Sequence, residues 1–159
     1  MNKATLKHTK MQKVKKVVIR EDILAITGDY RKAIILNQFI YWAERVADAD
    51  KFLEKENEFA RKNGEEEREL LYGWIYKTSE ELSEETMMGL SASQTRRYVK
   101  ELVEDGFISQ RNNPKCKWDR TLQYRVNLVN IAKALQEKGY SLNEYKIDLI
   151  DDTPFCIHA

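Results

Sequence analysis

Residues 91–100 read SASQTRRYVK, and their polar side chains are hydroxyls, one amide and three cations with no carboxylate among them. Arginine can pair bidentately with guanine and glutamine with adenine, so the chemistry on offer is recognition rather than bond breaking. The stretch has helical periodicity. With Thr95 inward and ~100° per residue, Val99 and Leu102 fall on the same side. Ser93, Arg97 and Lys100 fall opposite, with Gln94 and Arg96 on the flanks and Ser91 as the cap. A second set of cations follows at Arg111, Lys115, Lys117 and Arg120, where Asp119 is the sole acid. Cations so placed suit phosphates. Taken alone, either set is more often an ordinary solvated surface.

Other chemistry has little to stand on. The two histidines, His8 and His158, lie near the termini, and the six glycines do not cluster. The acids at 65–69 lie on an expected solvated helix, and no spacing suggests a general acid and base, so no enzyme is expected. Cys116 and Cys156 match no zinc spacing. Only the Cys156–Ile157–His158 end could hold a metal, and then with help from elsewhere. No cofactor or metal is expected. No apolar run approaches the ~20 residues of a membrane span, and no secretory signal follows the basic start, which makes a cytoplasmic protein the default. The 159 residues suit one helix-rich domain. The net charge of +1 gives no support for nucleic-acid binding, so any argument rests on distribution. Residues 1–20 hold seven Lys/Arg and no acid, whereas residues 48–69 hold nine acids against five bases.

The elements that must position these side chains can be read in order. Residues 1–16 form a basic, flexible arm, and residues 17–24 a short strand or entry segment. Asp29 is placed to cap a long apolar helix reaching about Val46. An acidic stretch over about 48–62, carrying Phe52 and Phe59, is a separate helix or an extension. Asn63–Gly64 breaks it, and residues 65–71 add a further helical turn, completing an insertion over 48–71. "GWIYK" (73–77) is a short strand. Thr78 or Ser79 with Glu80 or Glu81 starts a helix over 78–87, and Gly89 permits a left-handed turn after it. The helix begun at Ser91 rests on those at 31–46 and 78–87 and ends at Asp105–Gly106. "FISQR" and "TLQYRVNL" are strands joined by a basic loop, and residues 130–139 a closing helix capped by Asn130. Trp42 and Trp74 are expected in the core, with Trp118 packed on the hairpin. The tail over 141–159 has no assignment. This order predicts a mainly α fold with a small β part (α+β), a winged helix-turn-helix over 17–140 with a helical insertion between the first helix and first strand.

"VVIREDILAITGDYRKAIILNQFIYWAERV", "GWIYKTSEELSEETMMGLSASQTRRYVKELVEDGFI" and "RNNPKCKWDRTLQYRVNL" together resemble the N-terminal winged-helix domains of replication-initiation and replisome-organiser proteins. These are carried by phages, plasmids and conjugative elements and are similar to DnaD-type primosome proteins. The resemblance covers about residues 17–130. It implies origin-directed binding of double-stranded DNA, self-association as a homodimer, and loading of other replication proteins. The recognition-helix positions are then Ser91, Ser93, Gln94, Arg96, Arg97 and Lys100, and the wing positions Arg111, Lys115, Lys117 and Arg120. Such initiators commonly continue into a second helical domain. This sequence runs to Ala159, so it is expected either to be a fragment or to bind DNA without that second activity. A transcriptional regulator and a protein-interaction module are the alternatives. The acidic insertion, which would repel phosphate, is expected to point away from DNA and to be a dimer contact or a lid on the core; as a dimer contact it would pair two subunits together with the N-terminal region.

Overall fold

The computed structural model describes residues 11–141. The expectations for His8, Cys156, His158, residues 1–10 of the basic arm and residues 142–159 of the tail lie outside the described residues. Residues 11–20 have no regular secondary structure.

Helix α1 spans Glu21–Thr27, so the strand considered for 17–24 is not formed. Glu21 and Asp22 in its first turn complement the positive end of the helix dipole, and Gly28 closes it in the left-handed conformation. Asp29 then caps helix α2, Tyr30–Asn63, by accepting from the Arg31 N–H. The apolar and acidic stretches are thus one continuous helix of 34 residues, about 50 Å long. Its first half is buried through Ile35, Leu36, Phe39 and Ala43. Tyr41 on the same stretch is 41% exposed.

Residues 65–71 do not add a helical turn. They run back beside α2 because two buried polar side chains on the helix hold their backbone. Asp50 accepts from the N–H groups of Leu71 at 2.6 Å and Tyr72 at 2.8 Å. Asn57 donates to the Arg68 carbonyl and accepts from the Arg68 N–H, both at 2.7 Å.

Strand β1 (Ile75–Tyr76) leads to α3 (Ser79–Thr86), which opens with a capping box between Thr78 and Glu81. The chain turns left-handed first at Met87 and again at Gly89. Helix α4 (Ala92–Glu104) follows, then strands β2 (Ile108–Arg111) and β3 (Gln123–Val126), and helix α5 (Leu128–Glu137). The strands form one antiparallel sheet in the order β1-β3-β2, with Tyr124 opposite both Ile75 and Gln110. α5 starts two residues before the expected Asn130, which does not cap it. Instead Asn127 and Asn130 both donate to the Gly106 carbonyl, at 3.0 and 2.8 Å. The α+β class holds: helices dominate, and the sheet is small.

The core draws residues from all five helices and the three strands, around Phe39, Leu82, Leu102, Val126 and Ile131. The rings of Phe39 and Tyr124 sit 5.2 Å apart. Trp42 lies at the edge of this core and Trp74 outside it, half-buried beneath Arg111 and Arg125 at 3.9 and 4.8 Å. No helix among the described residues is long and apolar enough to cross a membrane.

Candidate nucleic-acid interface

The sequence of α4 sorts its faces sharply. Thr95, Tyr98, Val99 and Leu102 are buried, and the helix packs on α2 and α3. Ser93, Arg96, Arg97 and Lys100 are exposed. Ser91 and Gln94 form a capping box: the Ser91 hydroxyl accepts from the Gln94 N–H at 3.1 Å, and the Gln94 side-chain oxygen accepts from the Ser91 N–H at 3.0 Å. Both side chains therefore serve the helix start. Gln94 could grip a base with oxygen and nitrogen together only by releasing its cap.

Arg97 lies 5.2 Å from the Tyr98 ring, and Arg31 on α2 lies 4.9 Å from the same ring. Arg31 thus adds a cation beside the α4 face, which sequence spacing gave no means of finding. Two hydrogen bonds of 3.1 and 2.8 Å fix it to Asp29. That contact with Arg31, helped by backbone N–H groups and opposed by burial, lowers the Asp29 carboxyl from 3.8 to about 2. The far end of α4 has the opposite character. Glu101 and Asp105 sit 3.7 and 2.6 Å from the buried Lys32. Positive charge is concentrated on the exposed side of the first half of the helix.

The hairpin adds to it selectively. Arg111 is half-buried, donates to Gln123 at 2.8 Å and stacks on Trp74, so it braces the sheet instead of reaching outward. Desolvation of its guanidinium lowers its pKa. Lys115 forms an ion pair with Glu69, so the acidic return segment reaches the hairpin at that point instead of standing wholly apart from it. Lys117 and Arg120 are exposed. Trp118, expected to pack on the hairpin, is 92% exposed. The loop is shaped by Asp119, which accepts from the Thr121 N–H at 3.0 Å, from Asn113 at 3.2 Å and from the Tyr76 hydroxyl.

Arg96 and Arg120 converge. They line one cleft of about 250 Å³ with Lys77, Thr78, Ser79 and Glu80 around the start of α3 and Tyr124 of β3. Burial raises the Tyr124 hydroxyl pKa, and the nearby Arg96 charge opposes that rise. A neighbouring cleft of about 320 Å³ contains Arg120 and Lys117, so Arg120 links the helix cation to the loop cation. Of the ten positions singled out by sequence, Ser93, Arg96, Arg97, Lys100, Lys117 and Arg120 remain outward-facing, with no ion pair or cap among the described residues. Fold and face together define an α+β domain that presents cations from one helix and one adjoining hairpin. No protein-family model matches the chain, and neither curated proteins nor solved structures yield a match.

Proposed function

We propose that this protein binds double-stranded DNA as a winged helix-turn-helix, with α3 and α4 as the helix pair and the β2–β3 hairpin as the wing. The observation that carries the reading is the convergence of Arg96 and Arg120 on one cleft, beside the exposed Arg97 and Lys100. The exposed face of α4 enters the major groove, where Arg97 and Lys100 meet base edges. A phosphate lies in the cleft, facing Arg96, Arg120 and the positive end of α3. Lys117 and Trp118 reach the backbone beyond. The role in replication initiation of a mobile element rests on the resemblance of the three stretches quoted above. A protein-interaction module is the second reading, favoured by the Glu69–Lys115 pair that neutralises part of the hairpin.

The test begins with selection of bound duplex from a random pool at fixed salt, followed by titration across salt concentrations. Log affinity falls linearly with log salt, at about −0.9 per phosphate contact. Arg97→Ala with Lys117→Ala weakens binding by about 10- to 100-fold, as expected for one base contact and one phosphate contact, and makes the slope shallower by about one unit. Unchanged affinity in that double variant would remove the DNA reading and leave the protein-interaction reading.

A further inference from the structure

The tip of the β2–β3 hairpin carries the most exposed aromatic ring among the described residues, Trp118 at 92%. Its place follows from the turn beneath it. The Asp119 N–H donates to the Cys116 carbonyl at 3.2 Å, which makes Lys117 and Trp118 the two central residues of a tight turn. Asp119 ties that turn down through Asn113, Thr121 and the Tyr76 hydroxyl, and the Asn113 side chain takes the Lys115 N–H at 3.0 Å. A tip braced in this way does not fold back to cover its own ring.

The surroundings of the ring narrow what can cover it. Over residues 112–121, NNPKCKWDRT, Trp118 is the only aromatic or large aliphatic side chain. A protein groove or a lipid surface takes a contiguous apolar patch, and one ring among polar groups is not that. A nucleotide has the matching composition: a flat base for the indole and a phosphate for the cations beside it. Lys117 and Arg120 lie on the cleft of about 320 Å³ with Asn112, whose exposed amide suits a base edge. Arg120 also lines the cleft that holds Arg96. Cations thus mark a path for one strand from the start of α3 to the tip. In a closed duplex each base face is covered by its neighbours, and the ring meets only sugar and phosphate. A base that has lost its partner exposes the face that an indole stacks on.

We infer that Trp118 stacks on an unpaired base, so that the hairpin tip binds a single-stranded nucleotide where a strand leaves the duplex. The inference rests on the DNA reading for the path of the strand. It adds a ligand class that α4 does not take, since Arg97 and Lys100 meet paired bases in a groove.

Two probes given to the full chain separate the inference from the reading beneath it. One is an oligothymidylate of about 12 nucleotides, which forms no duplex, and the other is the selected duplex, fully paired. The oligothymidylate is expected to bind and to quench tryptophan fluorescence. Trp118→Ala weakens that binding by about 5- to 100-fold, the range for one stacked base, and weakens duplex binding far less. Trp118→Phe keeps most of the affinity for the oligothymidylate, because a ring remains. Arg97→Ala has the reverse pattern, with its larger loss on the duplex. Circular dichroism and the melting midpoint stay unchanged in the Trp118 variants, because the ring is exposed. A chain that binds the duplex but not the oligothymidylate would overturn the inference and leave the DNA reading standing. Oligothymidylate binding that depends on Trp118, with no duplex binding, would uphold the stacking site and overturn the double-stranded reading. Equal losses on both probes in Trp118→Ala would overturn the inference, since the ring would then serve the backbone alone. So would a tryptophan signal that responds to vesicles of phosphatidylserine and phosphatidylcholine but not to the oligothymidylate, which would assign the tip to a lipid surface.

Discussion

Thr95 sits at 0% exposure on the inward side of α4, and its hydroxyl oxygen has no hydrogen-bond partner among the described residues. A helical threonine usually returns its hydroxyl to a carbonyl one turn back, as Thr86 does to Leu82 at 2.7 Å. Thr95 gains no such bond, so its oxygen is desolvated without return. Replacing the hydroxyl by a methyl of the same shape removes that cost. Thr95→Val is therefore expected to raise the unfolding free energy by about 1 kcal/mol in urea titration, with the slope on denaturant unchanged. A loss of stability would show that the hydroxyl is hydrogen-bonded in solution. The position also shows what a helical pattern can and cannot say about one residue. With Thr95 taken as inward, spacing put Val99 and Leu102 beside it, and all three are buried, but whether a buried hydroxyl is satisfied depends on atoms from neighbouring elements. Trp118 makes the same point from the opposite side. Hydrophobicity argued for packing, yet a tip residue packs only if the loop folds it back, and the bonds made by Asp119 hold the loop in another shape.

At the scale of elements, what could be read was what is local. The capping box of α3, Ser91 as the cap of α4, the turn after α3, the faces of α4 and the β2–β3 pairing each depend on residues a few positions apart, and each was recoverable from spacing. The arm was not. The acids at 65–69 read as a solvated helix, but Asp50 and Asn57 bind backbone 11 to 22 residues away and turn the segment after Gly64 into a return strap. No local rule distinguishes those two buried polar residues from their exposed neighbours. The same reasoning explains Arg31 and Lys115, whose partners Tyr98 and Glu69 come from distant parts of the sequence. The strap makes its own prediction. Asp50→Ala leaves the N–H groups of Leu71 and Tyr72 without their shared acceptor, at a local cost of about 2 kcal/mol. Amide exchange over residues 65–72 should quicken at least ten-fold while that of residues 33–43 is unchanged. Equal exchange in both proteins would mean that the strap is held by something other than Asp50.

At the scale of the whole molecule, Glu85 ties α3 to its neighbours. Its carboxylate accepts from Gln38 at 3.0 Å and from Trp42 at 2.9 Å, both on α2, and from Lys77 just after β1. Burial raises its pKa, and the three hydrogen bonds with the Lys77 charge outweigh that, so the carboxyl is held below its usual 4.5. Asp29, at about 2, is displaced in the same direction. For both groups the folded pKa is lower than the unfolded one, so the unfolded chain takes up protons first as pH falls. Their contribution is complete above about pH 4.5, drains away below it, and for Asp29 is gone near pH 2. α4 rests on both α2 and α3, so the angle at which it presents Arg96 and Arg97 depends on this tie. Glu85→Gln keeps the shape but loses the charge and one acceptor site's strength. It is expected to cost about 2 kcal/mol at neutral pH, since Lys77 is then left half-buried without its counter-charge. The loss should shrink as pH falls below about 4.5, where the unfolded wild-type chain takes up its proton first and the depressed folded carboxyl follows. Denaturant titrations of the two proteins at a series of pH values would show their stabilities converging on the acid side. A constant gap across that range would mean that Glu85 contributes by packing alone, and that the α2–α3 junction beneath the basic face does not depend on its charge.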